Sequence, residues 1–132
     1  IWDANTMTCI KTHEFELEQG DKKGHEISCG HWSNDGSVIA FGTENTSCIL
    51  VFSWDTERMD LKYQQKIWIP PKSQNAEVEP VAYLRFSSDS TSLAAAHMDS
   101  NLYMFDVQSS PGRVVLQQWP MGMPHVAAPV NV

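Results

Sequence analysis

The chain is poor in the features that would settle its chemistry quickly. It has only three cysteines, Cys9, Cys29 and Cys48. An odd, sparse set makes no disulfide framework, and a reducing, intracellular setting is expected. It lacks any run of about 18 apolar residues, so no membrane-spanning helix and no membrane partner are expected. Positive charge is also short: nine Lys and Arg stand against sixteen Asp and Glu, for a net charge of −7. A general basic field for nucleic acid is therefore excluded. There is no Gly-x-Ser-x-Gly elbow, no Gly-x-Gly-x-x-Gly fingerprint and no phosphate loop, so neither an enzyme nor a cofactor is expected. Long helical periodicity is missing too. Asp60 to Lys66 has a composition that suits a short helix but no apolar stripe.

What the chain does have is repetition. Ser33-Asn34-Asp35-Gly36-Ser37-Val38-Ile39-Ala40-Phe41-Gly42 precedes Ser87-Ser88-Asp89-Ser90-Thr91-Ser92-Leu93-Ala94-Ala95-Ala96 by 54 residues. Each is a polar turn around an Asp, then an apolar run ending in small residues. The offset extends backward, setting Ile27 on Val81 and Trp32 on Phe86. An aromatic-Asp pair recurs at Trp2-Asp3, Trp54-Asp55 and Phe105-Asp106, spaced 52 and 51 residues apart. Fourteen residues beyond the last two aromatics stand Trp68 and Trp119. A longer turn at Glu44 to Ser47 reconciles the offsets of 54 and 51; the alternative is that Val51-Phe52-Ser53 is the matching strand end, with Trp54-Asp55 beyond it. The distance to Trp68 favours the first register.

Each repeat divides into four strand signals. They are Glu26 to Trp32, Val38 to Thr43, Cys48 to Trp54 and Tyr63 to Ile69, then Val81 to Phe86, Leu93 to His97, Asn101 to Asp106 and Arg113 to Trp119. The third strands, Cys48 to Phe52 and Leu102 to Phe105, are apolar without alternation, which predicts cover on both faces. Trp2, Trp32, Trp54 and Phe105 are accordingly expected in the core.

Four strands per unit closing on an aromatic-Asp resembles the WD40 repeat, and Gly24-His25 lies 29 residues before Trp54, similar to that family's Gly-His to Trp-Asp spacing. The resemblance implies an all-β fold, a partial WD40 β-propeller of about two and a half four-stranded antiparallel blades. Residues 1–23 would end one blade and connect it onward. Residues 24–70 form a blade, 71–80 a loop, 81–120 a second blade, and 121–132 the start of another blade or a tail. The second repeat departs from the pattern: no Gly-His precedes Val81, and Ala96-His97 replaces the small-residue pair. Propellers need roughly 4–8 blades to close, so the chain is expected to be a piece of a longer protein.

A finer resemblance is to blades of the echinoderm microtubule-associated protein-like family. Gly36 to Thr43 with Asp55-Thr56-Glu57-Arg58 carries it, as does Leu84 to Asp89 leading to Leu93 to Phe105. It implies a non-enzymatic scaffold that binds tubulin or microtubules through rim loops, located in the cytoplasm on the cytoskeleton, including a cilium or axoneme. The alternative is a generic WD40 adaptor in a ubiquitin-ligase, trafficking or ciliary complex.

Candidate site residues follow. The resemblance gives His25, Thr43 and Trp54 to a buried hydrogen-bonded network, with Glu44 or Asn45 as its turn partner, and makes Asp55, Phe105 and Asp106 part of the blade frame. Partner contact falls to Lys22, Lys23, Lys72, Arg113, Trp68 and Trp119, although for each of the four cations a solvated surface charge is the simpler and favoured reading. Asp35 and Asp89 are expected to bond their own turns. Cys9, His13, His25, Cys29 and His31 invite a zinc reading. However, residues four apart on a strand are about 13 Å apart, too far for one ion with ligands at about 2.0–2.3 Å. No metal is expected.

Overall fold

The computed structural model describes residues 1–13, 24–71, 73 and 75–107, with residues 115–120 described as backbone. The connection at 14–23 and the segment 121–132 lie outside them. Strands β1 (Trp2–Asp3) and β2 (Thr8–Cys9) form a short hairpin. Strands β3 (Ile27–Trp32), β4 (Val38–Thr43), β5 (Cys48–Asp55) and β6 (Asp60–Trp68) form one antiparallel meander. A second meander comprises β7 (Val81–Phe86), β8 (Ser92–His97), β9 (Asn101–Asp106) and β10 (Val115–Pro120). No helix occurs among the described residues. The helix-like composition at Asp60 to Lys66 is overridden: these residues start β6, which pairs along the whole length of β5 as the edge strand of its sheet.

The turns explain why the strands start and stop where they do. Between β3 and β4, Asp35 Oδ1 accepts from Ser33 Oγ, Ser37 N and Ser37 Oγ at 2.7, 3.0 and 2.7 Å. Between β7 and β8, Asp89 Oδ1 accepts from Ser87 Oγ, Thr91 N and Thr91 Oγ1 at 2.6, 3.1 and 2.7 Å. These are the expected self-contained turns, alike atom for atom. The hydrogen bonds, the side-chain hydroxyls first, hold both carboxyls down at a pKa of about 2. Gly36 and Ser90 take the positive φ that each turn requires, 75° and 64°. The aromatic-Asp pairs close another turn. Asp55 Oδ1 accepts the Glu57 and Arg58 N–H groups at 3.0 Å each, and Asp3 Oδ1 accepts those of Asn5 and Thr6 at 2.8 and 3.1 Å.

Pairing corrects the register between repeats. Val38 faces Ser53, and its counterpart Ser92 faces Asp106. Phe105 therefore matches Phe52, and Trp54-Asp55 runs on past the end of the equivalent strand, as in the alternative register. The β4–β5 turn exceeds the β8–β9 turn by only one residue, and β5 is longer than β9 by the other two. Likewise Trp119 faces Leu102 while Ile67 faces Ile49, so Trp119 matches Ile67 and not Trp68.

The core lies between and beside the meanders. On β5, Cys48, Leu50 and Phe52 pack with Ile39 and Leu61 on one face, against half-buried Ile1, Trp32 and Trp54. Ile49 and Val51 face the other way and pack with Ala40, Ile67 and Ile69 on Val81, Leu84, Phe86, Leu93, Ala95, Tyr103 and Phe105. Each large side chain so enclosed contributes about 1.5–3 kcal/mol. Strand β5 is covered on both faces as its composition predicts; β9 is not. Tyr103 and Phe105 are buried, but Leu102 and Met104 are half-exposed. Those two match Ile49 and Val51, which the second sheet covers. Trp2 is 68% exposed and so is not the core residue expected, while Trp32 and Trp54 are half-buried and pack on the edge of the core rather than within it.

Candidate functional site

Antiparallel meanders sort their turns onto two rims. One rim carries the β3–β4, β5–β6 and β7–β8 turns. The opposite rim carries the β4–β5 and β8–β9 turns and the connection from β6 to β7.

On the second rim, His25 enters a polar network, though with other partners than expected. Its Nδ1 lies 2.8 Å from Thr46 Oγ1, which donates to Thr43 Oγ1 at 2.8 Å. The Thr43 hydroxyl donates to Cys48 O and accepts from Cys48 N. Thr43 is thus in the network, but Thr46 occupies the place given to an acid. Asn45 instead bonds backbone, accepting from Glu26 N and donating to Gly24 O at 2.8 and 2.7 Å. Trp54 lies elsewhere, at the far end of β5, edge-on to Trp32 with ring centroids 6.1 Å apart. The longer β5 carries it past the first rim, away from His25. Asp106 pairs with Ser92 within the sheet, whereas Asp55 serves a turn, so the two aspartates are not equivalents.

A second buried cluster joins the sheets on the same rim, and sequence reasoning missed it. Ser47 Oγ donates to Ile69 O at 2.7 Å and lies 2.9 Å from His97 Nε2. Because the hydroxyl proton is committed to Ile69, His97 Nε2 is the donor in that contact. His97 Nδ1 lies 3.0 Å from Asp99 Oδ1. Tyr103 OH donates to Asp99 Oδ2 at 2.5 Å, and Asn101 N donates to Oδ1 at 2.9 Å. The Asp99 N–H donates to His97 Nδ1 at 3.2 Å, and although burial pushes up the Asp99 carboxyl, its hydrogen bonding with Tyr103, His97 and Asn101 outweighs that and leaves the pKa below the ordinary value. Burial, then the Asp99 bond, pushes the Tyr103 hydroxyl up to about 12. The cluster borders an open cleft of about 260 Å³ walled by Pro70, Pro71, Met98 and Glu79. The sequence signal was Ala96-His97, a departure from small residues. The arrangement braces one sheet against the next, and its groups are engaged with one another.

Of the contact candidates, Trp68 is 61% exposed at the second-rim end of β6. Lys22, Lys23, Lys72 and Arg113 lie outside the described residues, and Trp119 is placed only as a backbone position in β10. Among the described residues, no group of three or more His, Cys, Asp or Glu comes together to hold a metal ion. Cys9 is exposed and Cys29 half-buried.

On the first rim, His31, Trp32 and Asn34 face Arg85, Phe86 and Ser88 across a cleft of about 610 Å³. Adjacent turns are tied here, Asn34 Nδ2 donating to Ser88 O at 2.9 Å and Asp35 N to Ser90 Oγ at 3.3 Å.

No family model and no curated protein sequence matches the chain. Solved structures do. The β-propeller domain of Cps50 (Swd1) from Myceliophteria thermophila matches with a TM-score of 0.63 and 14% identity, over 92% of this chain and 36% of that one. The C-terminal WD40 domain of Sif2 matches at 0.56 and 18%, over 71% and 25%. The periplasmic gluconolactonase PpgL of Pseudomonas aeruginosa matches at 0.58 and 19%, over 70% and 26%. The chain thus spans between 25% and 36% of the length of these proteins. Its fold is that of a partial WD40 β-propeller, all-β, with two four-stranded antiparallel blades described. A lactonase shares that fold, so the fold alone is compatible with catalysis as well as binding.

Proposed function

We propose that the chain is a non-enzymatic protein-binding scaffold, a segment of a microtubule-associated WD40 propeller acting in the cytoplasm on the cytoskeleton. The observation that carries the scaffold reading is the pair of braced blades with contact groups on their edges. The rims are fixed by hydrogen bonds within and between turns, while Trp68, Met98 and Tyr83 are 61%, 55% and 57% exposed. Rigid frames presenting loops and exposed aromatics are suited to partner contact. The microtubule reading is supported by the likeness of Gly36 to Thr43 and Leu84 to Phe105 to the echinoderm microtubule-associated protein-like blades.

Charge sets the condition on this reading. A net charge of −7 opposes an acidic polymer surface, so contact must use local cations. The test is co-sedimentation of the full chain with assembled microtubules across a salt series. Saturable pelleting that weakens with salt is expected. If the protein stays in the supernatant at low salt, the adaptor reading replaces the microtubule one.

A further inference from the structure

The first-rim cleft carries a chemical imbalance that the fold does not use. His31 and Arg85 are 54 residues apart and occupy the same position on the first strand of their blades, beside Trp32 and Phe86. Periodicity therefore brings two nitrogen bases and two aromatic rings to the same cleft. Phe86 N donates to His31 Nδ1 at 3.3 Å. A backbone N–H can only donate, so in the neutral ring the proton sits on Nε2. Among the described residues, nothing accepts from that Nε2–H or from the Trp32 indole N–H. Nor does any carboxylate there approach an Arg85 nitrogen within 4.0 Å. By contrast, Lys11 is paired with Asp60 at 2.9 Å. The acids of the two turns that border the cleft are already committed, because Asp35 and Asp89 accept three hydrogen bonds each from their own turns.

We propose that this cleft binds a carboxylate side chain of an acidic peptide segment, held on the Arg85 guanidinium and the His31 Nε2–H beside Trp32. The proposal rests on the scaffold reading, and it names the surface and the chemistry of the partner. A single guanidinium matches one carboxylate, whereas a nucleic acid needs a row of cations along its line of phosphates. The cleft also supplies a described local cation for an acidic partner.

The test is fluorescence anisotropy of labelled oligoglutamate, oligoglutamine and oligolysine titrated with the full chain at low and physiological salt. Oligoglutamate alone is expected to bind saturably, and less tightly as salt rises. Arg85→Gln is expected to weaken it about tenfold, with Arg85→Lys in between because the fork geometry is lost but the charge is kept. Arg85 is exposed, so thermal melts of these variants should overlay that of the unsubstituted chain. The proposal is overturned if oligoglutamate fails to bind, if Arg85→Gln binds it unchanged, or if a single-stranded RNA oligomer binds more tightly. Co-sedimentation of Arg85→Gln separates the two claims. Undiminished pelleting with microtubules, together with loss of oligoglutamate binding, keeps both claims and places the microtubule contact outside this cleft. Arg85-dependent peptide binding without pelleting of the unsubstituted chain keeps this cleft and rejects the microtubule reading.

Discussion

Gly42 sits where the two blades come nearest, and adding one methyl group there should show how tightly they are joined. A Cβ at position 42 would lie 2.7 Å from Cys29 Sγ, 2.7 Å from Val81 Cγ1 and 2.9 Å from Val81 Cβ. Carbon atoms at rest are about 3.5–4.0 Å apart, so Val81 would have to retreat by about 1 Å. Val81 is wholly buried against the shared core, and its Cβ cannot move without its backbone. Overpacking of this kind costs about 1–3 kcal/mol. Gly24 supplies the control, since nothing lies within 4 Å of a Cβ there. Replacing either glycine by alanine also stiffens the unfolded chain, which stabilises by about 0.4–1 kcal/mol. That effect cancels in the comparison. Gly42→Ala should therefore be about 1–3 kcal/mol less stable than Gly24→Ala, read from urea unfolding followed by tryptophan fluorescence. Adding Val81→Ala to Gly42→Ala should give less than the sum of the two separate losses. Equal stability of Gly42→Ala and Gly24→Ala would refute the close approach of β4 and β7.

Three further outcomes are expected. Ser47→Ala strands the His97 Nε2–H and removes a bond to Ile69 O; buried groups left unpaired cost about 1–3 kcal/mol, measurable in the same urea titration. Thr46→Val breaks the hydroxyl link from His25 to Thr43 and should cost about 1 kcal/mol, with a small drop in melting temperature. Hydrogen bonds hold Asp35 and Asp89 at folded pKa values of about 2, against an ordinary value of 3.8. Lowered carboxylate values stabilise the fold above about pH 4, and that contribution is lost as pH falls towards 2. An acid titration of Asp35→Asn with Asp89→Asn should accordingly be flatter over that window than that of the unsubstituted chain; an identical slope would rule out the turn bonds as its source.

The sequence was most legible where the chemistry is local. Asp35 and Asp89 could be read because each turn satisfies itself within five residues, so nothing distant can alter it. Strand β5 could be read because five apolar residues in succession, Cys48 to Phe52, leave no other fate than cover on both sides. Register was harder, because a spacing between aromatics mixes turn length with strand length, and β5 is two residues longer than β9. The His25 network failed in its partners for a related reason: Thr46 and Asn45 are neighbours in one turn, and only the backbone path decides which faces the ring. The His97, Asp99 and Tyr103 cluster was invisible because its key partner, Ser47, belongs to the other blade. Arg85 was overlooked for its ordinariness, a single charge on an alternating strand. Its meaning appears only when His31 is found beside it.

On the face between the two blades, the side chains in register with one another grow in size from β4 to β6. On the face that meets the second blade, β4 presents Ala40 next to the bare Gly42, β5 presents Val51 and Ile49, and β6 presents Ile67. Sheets separated by a filling of graded thickness cannot lie parallel; they splay like cards in a hand. The curvature of the array is therefore written into the volumes of a few residues at this seam, and a methyl added at its thin edge would act on the angle of the fan as much as on its strength.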